Sequence, residues 1–416
     1  MILLLCISVA LVAGLMMTRL FKRFHLPDVT SYLIAGVLLG PCLIGRLGVP
    51  GFGFSDFELV ETFQPISDVA LGFIAFAIGS EFRLSSLRTT GRAAVIVGIL
   101  QAVTATLLVD AALLGLHVFL GDKLPVSAAI TLGAIAAATA PAATLMVVRQ
   151  YKSKGPLTDI LLPVVALDDA VGLVIFAVSF GAAQAMESNS ASVASIAVEP
   201  LLEIVLSLVL GALLGWVLTF MERWFLSNRN RVAMIAGFVV AAVALSMMTF
   251  SIGGITVKFS SLLVCMMLGT IFCNTCPNSE DLMGRADKWS APLLTLFFVL
   301  SGAELHLDVF TDLAIVGIGV VYILTRSLGK YFGCSPEIQK YLGITLLPQA
   351  GVALGMASQV GALGEIGSTI RSIVLFGVLI YELVGPTLTK MALAAAGDIK
   401  PKQPKSNTQS TAKSTS

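Results

Sequence analysis

Residues 157–178 read LTDILLPVVALDDAVGLVIFAV, an apolar run with two carboxylates, Asp168 and Asp169, near its middle. A helix needs about 20 mostly apolar residues to cross the hydrocarbon core of a bilayer, and this run meets that length. Ionisable side chains at such depth are costly, so they usually mark a functional site. The run therefore predicts a transmembrane helix that carries a functional acidic pair.

The remainder of the chain shares this apolar character. Of the 416 residues of the whole chain, 56% are hydrophobic and only 12% are charged. A soluble domain carries about 25% charged residues because its surface faces water. The composition therefore predicts a membrane protein rather than a soluble enzyme, with the lipid bilayer around it and no cofactor. The net charge of +1 gives no sign of a nucleic-acid partner.

Runs of spanning length recur along the whole chain and predict an all-α polytopic membrane protein with about 13 transmembrane helices. The first run lacks the basic stretch of a signal peptide, so we expect a retained helix rather than a cleaved leader. The runs lie near residues 1–20, 28–45, 62–79, 92–119, 125–148, 158–186, 199–220, 231–251, 258–274, 289–304, 309–334, 338–362 and 367–394.

The basic residues are distributed unevenly between the connections that join these runs. Most of the 26 Lys and Arg residues, Lys330 among them, are assigned to alternate connections and to the C-terminal end. Cytoplasmic loops are enriched in Lys and Arg, so we expect the N-terminus outside and the C-terminus in the cytoplasm of a cell inner (plasma) membrane. Residues 397–416 are polar and predict a disordered cytoplasmic tail. The other connections hold only Arg46, Lys123, Lys258 and Arg371.

The acidic pair has the chemistry that an ion exchanger needs. Adjacent residues of a helix point about 100° apart, so one carboxylate can face an ion cavity while the other contacts a structural partner. A carboxylate can take up a proton or bind a cation, but not both at once. Arg326, inside the eleventh run, is expected to neutralise Asp168. The alternatives are a neutral structural pair of aspartates and an Arg326 that reaches the cytoplasmic surface.

Two runs carry a proline at mid-span, namely Pro141 in TLGAIAAATAPAATLMVVRQ and Pro348 in YLGITLLPQAGVALGMASQV. Proline lacks a backbone donor and disrupts a helix interior. Interrupted helices at corresponding positions in two halves of a transporter indicate a binding site near the bilayer midplane. Thr139 and Gln349 offer neutral oxygen ligands there, although Thr139 could instead bond within its own helix.

Glu382 is a third carboxylate inside an apolar run. It matches the position of the acidic pair if runs four to six and eleven to thirteen form inverted repeats. We expect Glu382 to be a charge partner of the site or of Arg326, with a purely structural role as the alternative.

Four stretches together resemble the monovalent cation–proton antiporter superfamily, above all its bacterial Na⁺/H⁺ branch with a two-aspartate motif. The similarity follows the order of the superfamily's motifs over nearly the whole membrane portion. The stretches are LPDVTSYLIAGVLLGP, TAPAATLMVVRQYKSKGPLTDILLPVVALDDA, LLPQAGVALGMA and YELVGPTLTKMAL.

The resemblance implies a fold of thirteen helices with inverted repeats, two broken helices that cross at the ion site, and an arrangement as a homodimer. It also implies a core domain and a separate dimerisation scaffold within a membrane domain of residues 1–396. We place the core around residues 92–186 and 309–394 and the scaffold around residues 1–79 and 199–274.

The resemblance also assigns roles to individual residues. It places the Na⁺-binding carboxylate at Asp169, its salt-bridged neighbour at Asp168 and the threonine of the unwound helix at Thr139. Its basic residue maps onto Arg326. Electrogenic relatives usually have a lysine there, whereas arginine is always charged in proteins. The aspartate pair suggests two protons per cation and Arg326 suggests one, and we favour electroneutral exchange of one proton per cation.

Together these observations predict a secondary antiporter that exchanges Na⁺, and also Li⁺, for H⁺ by alternating access, with both ions competing for Asp169. Two alternatives stay open, a K⁺/H⁺ antiporter of the same fold and a cation channel. A membrane sensor without transport activity would leave the buried charges of Asp168, Asp169 and Arg326 unexplained.

Overall fold

The computed structural model describes residues 2–24, 26–49, 51–187, 193–248, 250–252, 255–257, 259–305, 312–334 and 339–399. These residues are mostly helical. The helices are α1 (Ile2–Phe21), α2 (Asp28–Leu39), α3 (Phe57–Glu61), α4 (Gln64–Ile78), α5 (Leu84–Leu120), α6 (Val126–Ala136), α7 (Pro141–Tyr151), α8 (Pro156–Glu187), α9 (Val193–Glu222), α10 (Asn228–Ser246), α11 (Ser261–Thr275), α12 (Ser279–Ala303), α13 (Leu313–Phe332), α14 (Gln339–Thr345), α15 (Gly351–Gln359) and α16 (Glu365–Ala395). A short antiparallel hairpin, β1 (Phe250–Ile252) and β2 (Ile255–Val257), joins α10 to α11 and pairs Phe250 with Val257.

Each of the thirteen predicted spans coincides with one helix or with one broken pair of helices, α6 with α7 and α14 with α15. In the described ranges, nine helical stretches are long and apolar enough to cross a membrane, and α4 and α11 are shorter apolar helices. Helices α5 and α12 begin well before their predicted apolar runs, at Leu84 and Ser279. Hydropathy detects only the part of a helix that is suited to lipid, whereas a helix can continue with polar residues beyond it.

The helices pack in two groups. In one group α5 packs on α6, α8 and α13, and α16 packs on α13, α14 and α15. In the other group α12 packs on α1, α2 and α4, and α11 packs on α4 and α9. Small residues bring α2 and α12 into backbone contact, since a Cβ at Gly36 would lie 1.9 Å from the carbonyl oxygen of Val299. Such small-residue contacts are typical of helix packing in membranes.

Polar contacts tie helix ends together at one end of the bundle. The Asp28 backbone N–H donates to Gln150 Oε1 at 2.8 Å, and the Leu84 N–H donates to Asn274 Oδ1 at 2.9 Å. Arg149 at the end of α7 pairs with Asp287 of α12. We call this the basic end, because the connections predicted to be rich in Lys and Arg lie there. At the opposite end, Cys6 Sγ donates to the carbonyl oxygen of Gly53 at 3.5 Å.

The C-terminal part of the described chain is packed rather than free. Asp398 is 4% exposed, and its Oδ2 accepts hydrogen bonds at 2.7 Å from both the backbone N–H and the hydroxyl of Thr158. A carboxylate at this position caps the N-terminus of α8, where backbone N–H groups lack partners and the helix dipole favours negative charge. The predicted start of the tail at residue 397 is therefore too early. Residues 400–416 of the predicted tail lie outside the described residues.

Candidate functional site

Both prolines predicted to interrupt a helix lie at breaks. Helix α6 ends at Ala136, and α7 begins with Pro141 as its first helical residue. Proline suits that position because the first N–H groups of a helix have no intrahelical acceptor. Pro348 lies in the second break, between Thr345 and Gly351.

The two breaks touch each other. The Ala140 N–H donates to the carbonyl oxygen of Pro348 at 2.8 Å, and the Thr139 hydroxyl donates to that of Leu346 at 3.2 Å. Gln349 Nε2 donates to the carbonyl oxygen of Ile135 at 3.0 Å. Unpaired backbone groups are tolerated at membrane depth only where protein or a water-filled cavity surrounds them. The hydroxyl of Thr139 thus joins the two breaks instead of bonding within its own helix.

Arg326 of α13 is fully buried and fastens the two breaks together. Its Nε donates to the carbonyl oxygen of Ala136 at 3.0 Å, and its Nη2 donates to that of Ala138 at 2.6 Å. Its Nη1 donates to the carbonyl oxygen of Leu347 at 2.8 Å, on the other break. The guanidinium also lies 4.6 Å from the ring centroid of Tyr381. The fork of guanidinium donors therefore satisfies carbonyl groups that the helix ends leave unpaired.

The prediction that Arg326 neutralises Asp168 is wrong. Lys330, one turn further along α13, places its Nζ 3.0 Å from Asp168 Oδ2, and both side chains are fully buried. Lys330 also donates to the carbonyl oxygen of Ala137. The assignment of Lys330 to a cytoplasmic connection fails for the same reason. A compact ammonium can serve one carboxylate and one carbonyl group, whereas the wider fork of Arg326 suits several carbonyl groups.

Gln101 of α5 completes the surroundings of Asp168. It is fully buried, and its Nε2 donates to Asp168 Oδ1 and to the carbonyl oxygen of Gly98. Each carboxylate oxygen of Asp168 thus has its own donor, one neutral and one charged. Buried carboxylates require hydrogen-bond or charge partners of this kind.

Sequence reasoning missed both partners of Asp168. Tyr322, Arg326 and Lys330 follow one another at intervals of four residues, which places them on one face of α13. That spacing was the available signal for Lys330. Gln101 is uncharged within an apolar run and gave no comparable signal. Tyr322 hydrogen-bonds Gln349 at 2.9 Å and so connects this face to the second break.

Two further predicted residues have different outcomes. Asp169 follows Asp168 in α8, but its side chain lies outside the described part of the structure. Glu382 of α16 is 7% exposed, and its Oε2 has no hydrogen-bond partner among the described residues. The Nε, Nη1 and Nη2 atoms of Arg326 donate hydrogen bonds to backbone carbonyl groups, so the described structure does not pair Glu382 with Arg326.

A cavity of about 430 Å³ opens at the basic end between the two helix groups. The lining side chains include Ser80, Arg83, Arg149, Glu280 and Asp287. Deeper along α4, the apolar side chains of Ile78 and Met266 pack close to Pro141 and Ala166 around a much smaller space. The cavity at the basic end is thus lined by polar and charged side chains, whereas the small space next to Pro141 is lined by apolar ones.

The family of the chain follows from its similarity to known proteins. Residues 7–395 match the family model described as sodium/hydrogen exchanger, transmembrane. The chain belongs to the sodium/hydrogen exchanger family. It is a multi-pass membrane transporter rather than an enzyme, and cation–proton exchange is its class of activity. The resemblance to the cation–proton antiporter superfamily is thereby confirmed.

Individual relatives of this exchanger-family chain are distant in sequence. It is 22% identical over 401 residues to the high-affinity Na⁺/H⁺ antiporter NhaS3 of Synechocystis sp., across 88% of this chain and 84% of the relative. The structure of the sodium proton antiporter MjNhaP1 from Methanocaldococcus jannaschii at pH 8 is similar, with a TM-score of 0.66 at 19% identity over 95% of this chain and 96% of that one. An electron-microscopy structure of MjNhaP1 gives a TM-score of 0.70 at 19% identity, over 95% and 98%. The structural likeness confirms the predicted fold.

Proposed function

We propose that this chain is a Na⁺/H⁺ antiporter in which Na⁺ and protons compete for Asp169. The observation that carries the proposal is the fully buried Lys330–Asp168 pair beside two crossing broken helices. A buried ion pair contributes little to stability by itself, so its presence at this depth favours a role in transport. Asp168 is occupied by Lys330 and Gln101, which leaves the next residue of α8 as the carboxylate for an incoming cation.

The breaks supply the remaining oxygen atoms for such a cation. Na⁺ is a hard cation that prefers carboxylate, carbonyl and hydroxyl oxygen ligands. Thr139 lies in the first break, where its hydroxyl oxygen can accept a cation while it donates to Leu346. Arg326 and Lys330 occupy the carbonyl groups of residues 136–138, so the cation is directed toward the α8 side of the break.

The identity of the buried cation changes the expected stoichiometry. Electroneutral exchange was expected because the always-charged Arg326 was placed at Asp168. Lysine takes that position in the structure, and a buried lysine can release its proton, unlike arginine. We therefore propose that the Lys330–Asp168 pair carries a second proton, so that two protons exchange for one Na⁺ and each cycle moves charge.

Alternating access would use the two helix groups as moving parts. We propose that α5–α8 and α13–α16 form the core that moves against a scaffold of α1, α2, α4 and α9–α12. The Arg149–Asp287 ion pair joins α7 of the core to α12 of the scaffold beside the cavity at the basic end. A relative movement of the groups must break this pair, so the pair stabilises the conformation described here.

Replacing Asp287 by asparagine is expected to shift the protein away from this conformation. Partly exposed ion pairs contribute up to about 1 kcal/mol, which corresponds to roughly a fivefold change in the ratio of the two conformations. The measurement is the rate at which a membrane-impermeant maleimide labels a cysteine introduced at Ser80, which lines the cavity. We expect slower labelling with Asp287→Asn.

The matched control is Asp281→Asn, which removes a carboxylate from the same helix. Asp281 pairs with Arg285 within α12 and does not join the two groups through that pair. Equal labelling rates in the Asp287→Asn and Asp281→Asn proteins would show that the Arg149–Asp287 pair does not control the cavity.

We also propose the membrane orientation and the assembly. The basic end would face the cytoplasm of a plasma membrane, with the N-terminus outside. A homodimer would form through the scaffold, where large apolar side chains of α1 and α9 such as Leu4, Leu15, Leu213 and Trp216 are exposed. Lipid could cover the same surface, so the mass of the protein–detergent complex is the measurement that decides between monomer and dimer.

Proton flux in proteoliposomes tests the proposed function. With an imposed pH gradient, we expect addition of Na⁺ or Li⁺ to move protons, whereas K⁺ should have little effect. A response to K⁺ alone would favour the K⁺/H⁺ alternative. Na⁺ conductance without coupled proton movement would favour a channel, and the absence of any coupled flux in the wild type would refute the antiporter.

A further inference from the structure

The chain continues beyond α16 and packs against the connection between α7 and α8. This connection consists of residues 152–155. The backbone carbonyl oxygen of Asp398 accepts a hydrogen bond from the Lys154 N–H at 3.0 Å, and Asp398 Oδ2 accepts two from Thr158, each at 2.7 Å. A Cβ at Gly155 would clash with Asp398 Oδ1. Asp398 therefore contacts both the connection and the first turn of the helix that carries the acidic pair.

Helix α16, which leads to Asp398, contacts other elements of the site as well. It packs on α7 and α14. Lys390 Nζ lies 5.2 Å from the ring centroid of Tyr151, the last residue of α7. Earlier in α16, Gly385 lies against the second break, since a Cβ there would lie 3.0 Å from Pro348 Cγ. Together, α16 and Asp398 contact the end of α7, the start of α8 and the second break.

From these contacts we infer that Asp398 is a positioning residue for cation exchange, which fixes α8 relative to α7 and so places Asp169 relative to Thr139. This inference rests on the proposed antiport function, in which these two residues bind the transported cation. Thr139 lies in the break that precedes α7, and Asp169 lies in α8. The short connection joins the two helices along the chain, so a contact that fixes the connection also fixes the helices relative to each other.

The carboxylate of Asp398 supplies an acceptor that the start of α8 needs. The first backbone N–H groups of a helix lack intrahelical acceptors, and the N–H of Thr158 donates to Asp398 Oδ2. The Thr158 hydroxyl also hydrogen-bonds Ser153 Oγ of the connection at 2.8 Å. Removal of the Asp398 side chain would leave the first turn of α8 free to shift. A binding site tolerates a displacement of its ligands by only about 0.5 Å, so cation binding should weaken.

The test is the dependence of proton flux on Na⁺ concentration in proteoliposomes of the full-length chain. With Asp398→Ala, we expect the half-saturating Na⁺ concentration to rise about fivefold, the factor that corresponds to the loss of a typical helix cap. The maximal rate, referred to the amount of folded protein, should stay close to the wild-type value. Asp398→Asn should nearly restore the half-saturating concentration, because asparagine caps helices as well as aspartate does.

Asp56→Ala is the matched control, because Asp56 caps α3, a helix outside the proposed core, by accepting from the Leu59 N–H at 2.7 Å. It should keep the wild-type half-saturating concentration. Thr158→Val removes the hydroxyl but keeps the backbone N–H that donates to Asp398, so we expect a smaller rise in the same direction. If Asp398→Ala does not fold, Thr158→Val decides the test.

A wild-type half-saturating concentration in the variant that decides the test, or a fall in its maximal rate alone, would overturn this inference while leaving the antiporter intact. An equal rise in Asp56→Ala, or a defect in Asp398→Asn as large as that of the alanine variant, would overturn it as well. Absence of Na⁺-coupled flux in the wild type would refute the proposed function, and this inference with it.

Discussion

Replacing Asp169 by asparagine is expected to abolish Na⁺-coupled proton flux, to at most about 1% of the wild-type rate. Asparagine keeps the size and the oxygen atom of the side chain but can neither bind a proton nor carry negative charge at neutral pH. If proton and cation compete for this carboxylate, its loss removes both substrates together. The measurement is Na⁺-dependent proton flux in proteoliposomes of the wild type and the variant, at equal protein content.

The pH dependence provides a check on the same prediction. Because protons occupy the carboxylate that Na⁺ needs, the half-saturating Na⁺ concentration of the wild type should rise as the pH falls. The Asp159→Asn protein is a suitable control, since Asp159 lies in the first turn of α8 rather than near its middle. Flux that survives Asp169→Asn would remove Asp169 as the carrier, and Asp168 or Glu382 would then be the candidate.

Replacing Lys330 by alanine is expected to destabilise the protein more than any other single change proposed here. Removal of one partner of a buried ion pair leaves an uncompensated charge, which costs about 3–5 kcal/mol. Asp168 would keep only the hydrogen bond from Gln101. The measurement is the midpoint of thermal unfolding of the purified protein in detergent, followed by the loss of the soluble monodisperse species.

A double variant separates the charge effect from the loss of packing. The Lys330→Met/Asp168→Asn protein removes both charges, so most of the lost stability should return even though transport is impaired. Arg326→Lys is the complementary control, because it retains a positive charge but loses the fork of donors that joins the two breaks. The roles assigned to Lys330 and Arg326 would be wrong if Lys330→Ala were as stable as the wild type. They would also be wrong if Arg326→Lys, with Lys330 unchanged, lowered the exchange from two protons per Na⁺ to one.

The membrane spans and the helix breaks of this fold could be predicted because short stretches of sequence determine both. An apolar run within the bilayer satisfies its backbone hydrogen bonds by forming a helix. Each predicted span coincides with one helix or with one broken pair of helices in the structure. Pro141 and Pro348 indicated the breaks because proline disfavours a helix interior, although α8, α12 and α16 continue through Pro163, Pro292 and Pro386. The starts of α5 and α12 were missed because their first turns are too polar to register as membrane spans.

The pairing of charges in the site could not be predicted from the same signals. Arg326 and Lys330 lie one helical turn apart on the same face, and which of them meets Asp168 depends on where α8 and the breaks lie in three dimensions. A count of basic residues by connection assigned Lys330 to the membrane surface, although the structure buries it completely. Asp398 was likewise missed because its partner, Thr158, is 240 residues away along the chain.

The most direct test of competition between the two ions is the number of protons released when Na⁺ binds to the purified protein. The measurement uses the full chain in detergent at low buffer concentration, with a pH indicator to follow the addition of Na⁺. We predict that wild-type protein releases protons as Na⁺ saturates the site and that Asp169→Asn releases none. Binding of Na⁺ without proton release in the wild type, or equal release by Asp169→Asn, would contradict the account.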